Sequence, residues 1–179
     1  MNTPNKLTLL RICLVPVFLL FFLCGGIPLH NLWALLVFAA ASVTDALDGH
    51  IARSRNLITD FGKFLDPVAD KVLVFAALVA FIDFKWASSV AVIIMIAREF
   101  LVSSLRMVAA DNGTVIAAGK LGKLKTAVTM ASIVTVLVLA ALSDLGGAFA
   151  SLPIGTVSNV LVWVSAVITV ISGIEYLWK

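Results

Sequence analysis

The sequence predicts an all-α integral membrane protein, a bundle of six transmembrane helices with a polar cavity facing the cytoplasm. Three observations predict it. Of 179 residues, 61% are hydrophobic and 13% charged, and the mean hydropathy of +1.11 lies far from that of a water-soluble domain. Apolar stretches near 8–24, 31–49, 68–84, 87–108, 122–143 and 153–177 each meet or approach the roughly 20 residues needed to cross a hydrocarbon core. The charges gather at one boundary of these stretches.

The first stretch follows Lys6 and Arg11 as a signal sequence would. It lacks a small-x-small cleavage site, and Leu23 before Cys24 does not suit lipoprotein processing, so it reads as a retained helix. Cys13 and Cys24 are too few for a disulfide framework and read as packing residues. Gly25-Gly26-Ile27-Pro28 and the segment from Ser143 to Pro153 are turn-rich and nearly uncharged, as plain outer links would be. The third stretch is the most polar, with Asp70 and Lys71 in its first turn and Asp83 closing it. Pro67, suited to the first turn of a helix, predicts a start near Asp66. Small residues such as Ala39-Ala40-Ala41-Ser42 and Ala76-Ala77 permit close helix approach. The links are too short to hold a second core, so one membrane domain, 1–179, is expected.

Lys6, Arg11, Arg53, Arg55, Lys63, Lys71, Arg106, Lys120, Lys123, Lys125 and Lys179 fall at the N-terminus, the second and fourth connections and the C-terminus, while the other connections offer only Lys85. Basic residues flanking spans stay on the cytoplasmic side, so both termini are expected there. The cations are scattered and lack interleaved aromatic platforms, which argues against nucleic acid as a partner and for anionic lipid headgroups. Arg98 lies too deep in the fourth span to mark topology. Its neighbour Glu99 falls on a different helix face, so both are expected to pair across the bundle. His30 and His50 read as interfacial residues without a ligand set.

The chemistry-bearing segment reads Asp45-Ala46-Leu47-Asp48-Gly49-His50-Ile51-Ala52-Arg53, then eight residues, then Gly62-Lys63-Phe64-Leu65-Asp66-Pro67-Val68-Ala69-Asp70. Asp45 and Asp48 are spaced i, i+3 and Asp66 and Asp70 i, i+4, so each pair shares a helix face. With spans two and three antiparallel, joined from about Arg53 to Phe61, the pairs sit at matching depth just inside the cytoplasmic boundary. Four carboxylates in one volume could not all remain ionised without compensation, and divalent cations supply it. An all-oxygen set favours Mg²⁺, Mn²⁺ or Ca²⁺, and Mg²⁺ is ordinarily shared with substrate phosphates. Gly49 and Ala52 remove bulk beside the acids, Arg53 offers a planar donor fork, and Gly62 permits a close approach. A lone aspartate near a helix end is often a cap. Eight specified residue types across positions 45–70 would coincide by chance in on the order of one window in 10^10.

That pattern, D-x2-D-G-x2-A-R-x8-G-x3-D-x3-D, resembles the signature of the CDP-alcohol phosphotransferases at every fixed position. The likeness extends over nearly the full chain through Asn5-Lys6-Leu7-Thr8-Leu9-Leu10-Arg11, Ile96-Ala97-Arg98-Glu99-Phe100 and Gly122-Lys123-Leu124-Lys125-Thr126. Thr129 departs from it where Gln is usual, and His50 where an apolar residue is commoner; neither is a signature position. The resemblance implies a six-helix enzyme of phospholipid biosynthesis, commonly homodimeric, in the bacterial cytoplasmic membrane. It implies transfer of a phosphatidyl group from CDP-diacylglycerol to an alcohol with release of CMP, and the three further segments narrow the acceptor to sn-glycerol 3-phosphate. By the same resemblance Asp45, Asp48, Asp66 and Asp70 bind two ions, Mg²⁺ or Mn²⁺, Asp70 is the general base, and Gly49, Ala52, Arg53 and Gly62 surround the CDP donor. Arg106, Lys123 and Lys125 are the candidates for the acceptor phosphate. Two other readings stand beside this one: a related synthase using inositol phosphate, serine or phosphatidylglycerol, and a small ion or proton transporter. Transporter sites usually lie near the midplane, whereas these acids crowd one boundary.

Overall fold

The computed structural model describes the backbone of residues 3–55, 60–111 and 119–178, and the side chains of 8–44, 68, 71–109, 119, 121–147, 149–176 and 178. Its elements are α1 (Thr3–Leu23), α2 (His30–Arg55), α3 (Asp60–Asp83), α4 (Ser89–Asp111), α5 (Lys120–Ser143), a 3₁₀ turn at Gly147–Phe149 and α6 (Ile154–Leu177). Every apolar stretch lies within or overlaps one of these α-helices. Among the described residues, Leu121–Ser143 and Ile154–Tyr176 are long and apolar enough to cross a membrane, and Thr8–Leu23 and His30–Thr44 are shorter apolar helices.

Several helices outrun their apolar stretches at the polar end. α2 continues to Arg55 and α3 begins at Asp60, so the start expected near Asp66 is corrected. Pro67 stands inside α3, where its missing N–H forfeits one backbone bond while the helix continues past it. The link expected from Arg53 to Phe61 is shorter for the same reason: hydropathy marks where lipid would begin, not where backbone bonding stops.

The chain divides into two compact units. The first comprises Met1–Ala80 and Leu137–Leu152, with α1 packed on α2. Buried positions on α1 run Thr8, Arg11, Val15, Phe18 and Phe22; those on α2 run Asn31, Ala34, Phe38 and Ala41. Both follow the alternating three- and four-residue step of a helix seam. Phe18 stacks on Phe22 with ring centres 5.6 Å apart and meets Phe38 across the seam at 5.7 Å. Cys13 and Cys24 fall outside this seam and are exposed free thiols, which corrects the packing role expected of them.

The link after α5 is more than a plain connection. Asn31 donates its backbone N–H to Asp144 Oδ2 at 2.9 Å and its Nδ2 to Oδ1 at 2.8 Å, and His30 Nε2 lies 3.9 Å from the same carboxylate. Asp144 thus caps the N-terminus of α2 from 113 residues away, satisfying an orphan donor and placing negative charge at the positive end of the helix dipole.

The second unit comprises Phe81–Val136 and Pro153–Lys179, with α4 packed on α6. Lys85, at φ 59°, turns the chain after α3. Its N–H donates to Ile82 O and that of Trp86 to Phe81 O, and Trp86 packs on Phe84 at 5.0 Å. Along α6 the buried positions include Ile154, Ser158, Val162, Ser165, Ala166, Thr169 and Ser172, and Ser165 shares a hydrogen bond with Ser132 of α5 at 3.1 Å.

Both units expose many aliphatic side chains and bury several polar ones within largely apolar cores. Outward positions include Leu9, Val17 and Leu20 on α1, Val90 and Ile93 on α4, and Val160, Val167 and Ile171 on α6, while buried positions carry Arg11, Asn31, Thr129, Ser132 and Thr169. Polar groups turned inward and aliphatic groups outward suit hydrocarbon as the surrounding solvent.

Replacing Asp144 by Ala leaves the buried Asn31 N–H and amide without their acceptor. The expected cost is about 1–3 kcal/mol, read as a lowered midpoint of thermal unfolding in detergent, with Asp144→Asn falling between Ala and the parent chain.

Candidate active site

The four signature aspartates lie on two helices of the first unit, Asp45 and Asp48 on α2 and Asp66 and Asp70 on α3. Their side chains, and those of Gly49, Ala52, Arg53 and Gly62, lie outside the described residues, so backbone register places them. On α2 the buried seam through Asn31, Ala34, Phe38 and Ala41 continues, by the same step, to Asp45, Asp48 and Ala52. On α3 Leu73, Ala77, Leu78, Ala80 and Phe81 are buried, and the step from Ala80 through Ala77 and Leu73 continues in the opposite direction to Asp70, Asp66 and Gly62. Both acid pairs therefore occupy the registers that are buried in the apolar part of each helix. Gly49 sits beside Asp48 in that register, and Arg53 follows Gly49 by one turn.

Arg11, which the sequence placed among the cations of the cytoplasmic boundary, lies on the buried seam of α1. It is 2% exposed and stands among the largest fully buried side chains. α1 and α2 run antiparallel, since Phe18 meets Phe38 and Phe21 meets Trp33. Continuing that ladder brings Arg11 level with Asp45 and Thr8 level with Asp48. The sequence signal was its spacing from Val15, Phe18 and Phe22.

The basic candidates lie in the second unit. Lys125, with its side chain 14% exposed, is ion-paired with Glu99 Oε2. Arg106 lies over the Tyr176 ring, 5.7 Å from its centre, and Lys123 is exposed. Arg98 donates Nη2 to Ser172 Oγ at 2.9 Å and Nη1 to Glu99 Oε2 at 3.3 Å. The expected cross-helix pairing thus exists, to α6 from Arg98 and to α5 from Glu99, and the two neighbours also meet each other.

Only carboxylates stand at the four signature positions, a donor set that fits Mg²⁺ or Mn²⁺ and would be a poor match for a thiophilic metal. Among the described residues no group of three His, Cys, Asp or Glu side chains is arranged to hold an ion. His30, beside Asp144 and Asn31, belongs to the helix cap.

The sequence profile of the CDP-alcohol phosphatidyltransferase family matches residues 1–171. The CDP-diacylglycerol–glycerol-3-phosphate 3-phosphatidyltransferase of Bacillus subtilis (strain 168) is 43% identical, over 99% of this chain and 94% of its own length. The proteins of that name from Rickettsia typhi and Escherichia coli (strain K12) are 38% and 41% identical; the first alignment covers 98% of this chain and 94% of the relative, the second 74% of each. With the signature intact from Asp45 to Asp70 and a match spanning nearly every helix, this chain belongs to the CDP-alcohol phosphatidyltransferase family.

Proposed function

We propose that this protein transfers the phosphatidyl group of CDP-diacylglycerol to sn-glycerol 3-phosphate, giving phosphatidylglycerophosphate and CMP. One observation carries the reading: 43% identity over 99% of the chain to a relative whose name states that donor and acceptor. The other relatives named above carry the same acceptor in their names, which favours glycerol 3-phosphate over inositol phosphate, serine or phosphatidylglycerol. A transporter would not require this signature.

The site is built by α2 and α3. Asp45, Asp48, Asp66 and Asp70 would hold the two Mg²⁺ or Mn²⁺ ions. Bound there, the ions supply charge neutralisation of the donor pyrophosphate and of the departing CMP. Gly49, Ala52 and Gly62 leave backbone bare beside the acids so that the nucleotide can lie close, and Arg53 offers paired N–H donors to its phosphates. Asp70 accepts the proton of the acceptor hydroxyl as that oxygen bonds to the phosphorus bearing diacylglycerol. The bond from this phosphorus to the bridging oxygen breaks, and CMP carries the electron pair away. An aspartate is a weak base, so orientation of the hydroxyl contributes most of its effect. Arg106, Lys123 and Lys125 bind the acceptor phosphate, fixed cations for an anionic substrate.

All six helices span the bacterial cytoplasmic membrane as one domain, 1–179, and the protein works as a homodimer among membrane lipids. The many aliphatic side chains exposed on both units support the membrane setting. Basic residues at the ends of α2 and α4 and the starts of α3 and α5 support cytoplasmic termini and a site opening to the cytoplasm.

Purified protein given CDP-diacylglycerol releases CMP with glycerol 3-phosphate in preference to inositol phosphate, serine or phosphatidylglycerol, and EDTA stops the release until Mg²⁺ or Mn²⁺ is restored. Asp70→Asn lowers CMP release by at least about a hundredfold, the usual scale of a lost general base, with an unchanged unfolding midpoint. Wild-type turnover in Asp70→Asn removes the general-base role, and preference for another acceptor removes the substrate assignment.

A further inference from the structure

Tyr176 stands in the last turn of α6, half-buried, and the guanidinium of Arg106 from α4 lies over its ring, 5.7 Å from the centre. The Tyr176 hydroxyl is buried and has no hydrogen-bond partner among the described residues. A buried tyrosine ordinarily finds its O–H a partner. Here the ring face is the part of the side chain that meets a charge.

Tyr176 follows by four residues Ser172, whose Oγ accepts from Arg98 Nη2 at 2.9 Å. Residues four apart share a helix face, so one face of α6 receives both arginines of α4, with roughly 6 Å of helical rise between the two contacts. Arg98 also meets Glu99 Oε2, the atom to which Lys125 is ion-paired. Arg106 is thereby held at the end of the second unit that carries Lys125, the other cation assigned to the acceptor phosphate. Its contact with Tyr176 is of a particular kind: a cation over an aromatic ring is attracted by the negative face of the ring, and that attraction consumes no N–H donor. A guanidinium has five such donors in a planar fork that matches phosphate. Among the described residues Arg106 makes neither a hydrogen bond nor an ion pair with them.

We propose that Tyr176 is a positioning residue for the acceptor's phosphate subsite, holding the Arg106 guanidinium by its face so that the N–H edge meets the phosphate. This rests on the acceptor reading given above and adds to it the group that orders one of the cations. Arg106 is exposed, and a long exposed side chain loses rotamer freedom when it grips a ligand. A half-buried ring beneath the guanidinium removes part of that loss before the ligand arrives. A carboxylate in the ring's place would hold the arginine as well, but by taking the donors that the phosphate needs.

The test uses the full-length protein in nanodiscs of phosphatidylcholine, with or without phosphatidylglycerol, and CMP release is measured while either substrate is varied. Tyr176→Leu is expected to raise the KM for glycerol 3-phosphate about two- to fivefold, the scale of an exposed cation–π contact. The KM for CDP-diacylglycerol stays level, and the ratio is the same in both lipids. Tyr176→Phe, which keeps the ring face, retains the parent KM. Replacing Tyr176 by phenylalanine with one, two or three ring fluorines drains the face of electrons with little change of shape, and the acceptor KM rises stepwise. This series carries the test if the leucine variant does not fold, since a ring of purely structural use would not respond to it. On an Arg106→Leu background Tyr176→Leu adds nothing, because it acts through Arg106. A level acceptor KM in the leucine and fluorinated variants, equal rises in both KM values, a phenylalanine variant as impaired as the leucine one, or a further loss on the Arg106→Leu background would each overturn the proposal. A rise confined to nanodiscs containing phosphatidylglycerol overturns it too, by assigning the guanidinium to a lipid headgroup. A parent enzyme that uses a different phosphorylated acceptor refutes the acceptor assignment alone, and the same KM pattern with that acceptor upholds Tyr176. A parent enzyme that uses only unphosphorylated acceptors refutes both.

Discussion

Charge buried in an apolar bundle is stable only where an opposite charge or a bound cation is fixed within reach, and the two units are organised around that constraint. Outward faces carry valine, leucine and isoleucine, Arg11 is buried, and Arg98, Glu99 and Lys125 are largely so. Charged groups in these settings have partners: Asp144 serves the N-terminus of α2, and Glu99 serves Lys125 and Arg98. The acid pairs of α2 and α3 continue the seams that bury alanine, leucine and phenylalanine farther along. The metal ions proposed for the site are the countercharge that four carboxylates held together would require.

Much of this was legible in the primary structure. Helix positions followed from hydropathy, because an apolar run of span length admits few alternatives to helix in lipid. The acids were legible because four carboxylates, two glycines, an alanine and an arginine at fixed steps carry far more information than any one of them. What hydropathy could not reveal was the polar extension of α2 to Arg55 and of α3 back to Asp60, since backbone bonding continues after the lipid-facing pattern ends. Pro67 misled for a related reason: a proline inside a helix costs one backbone bond and some strain, which neighbouring structure can absorb.

Two further residues escaped sequence reasoning for reasons of distance and ambiguity. Asp144 sits in a stretch that reads as a nearly uncharged outer link, and its partner is 113 residues away, so no local pattern announces the cap. Arg11 satisfies the rule that places cations at the cytoplasmic boundary, yet it also falls on the three- and four-residue step through Val15, Phe18 and Phe22, and the structure buries it. Glu99 and Arg98 were recognisable as a pair needing partners; which helices supplied them depended on the fold.

The central claim is that the acid pairs of α2 and α3 act as one cation site, and Mn²⁺ binding followed by electron paramagnetic resonance tests it most directly. The parent protein, titrated in detergent with a CDP-lipid analogue present, is predicted to bind two ions per chain. Neutralising either pair alone, as Asp45→Asn with Asp48→Asn or as Asp66→Asn with Asp70→Asn, is predicted to abolish tight binding of both. Undiminished binding after the loss of one whole pair would contradict the account, because the two helices would then not be sharing a site.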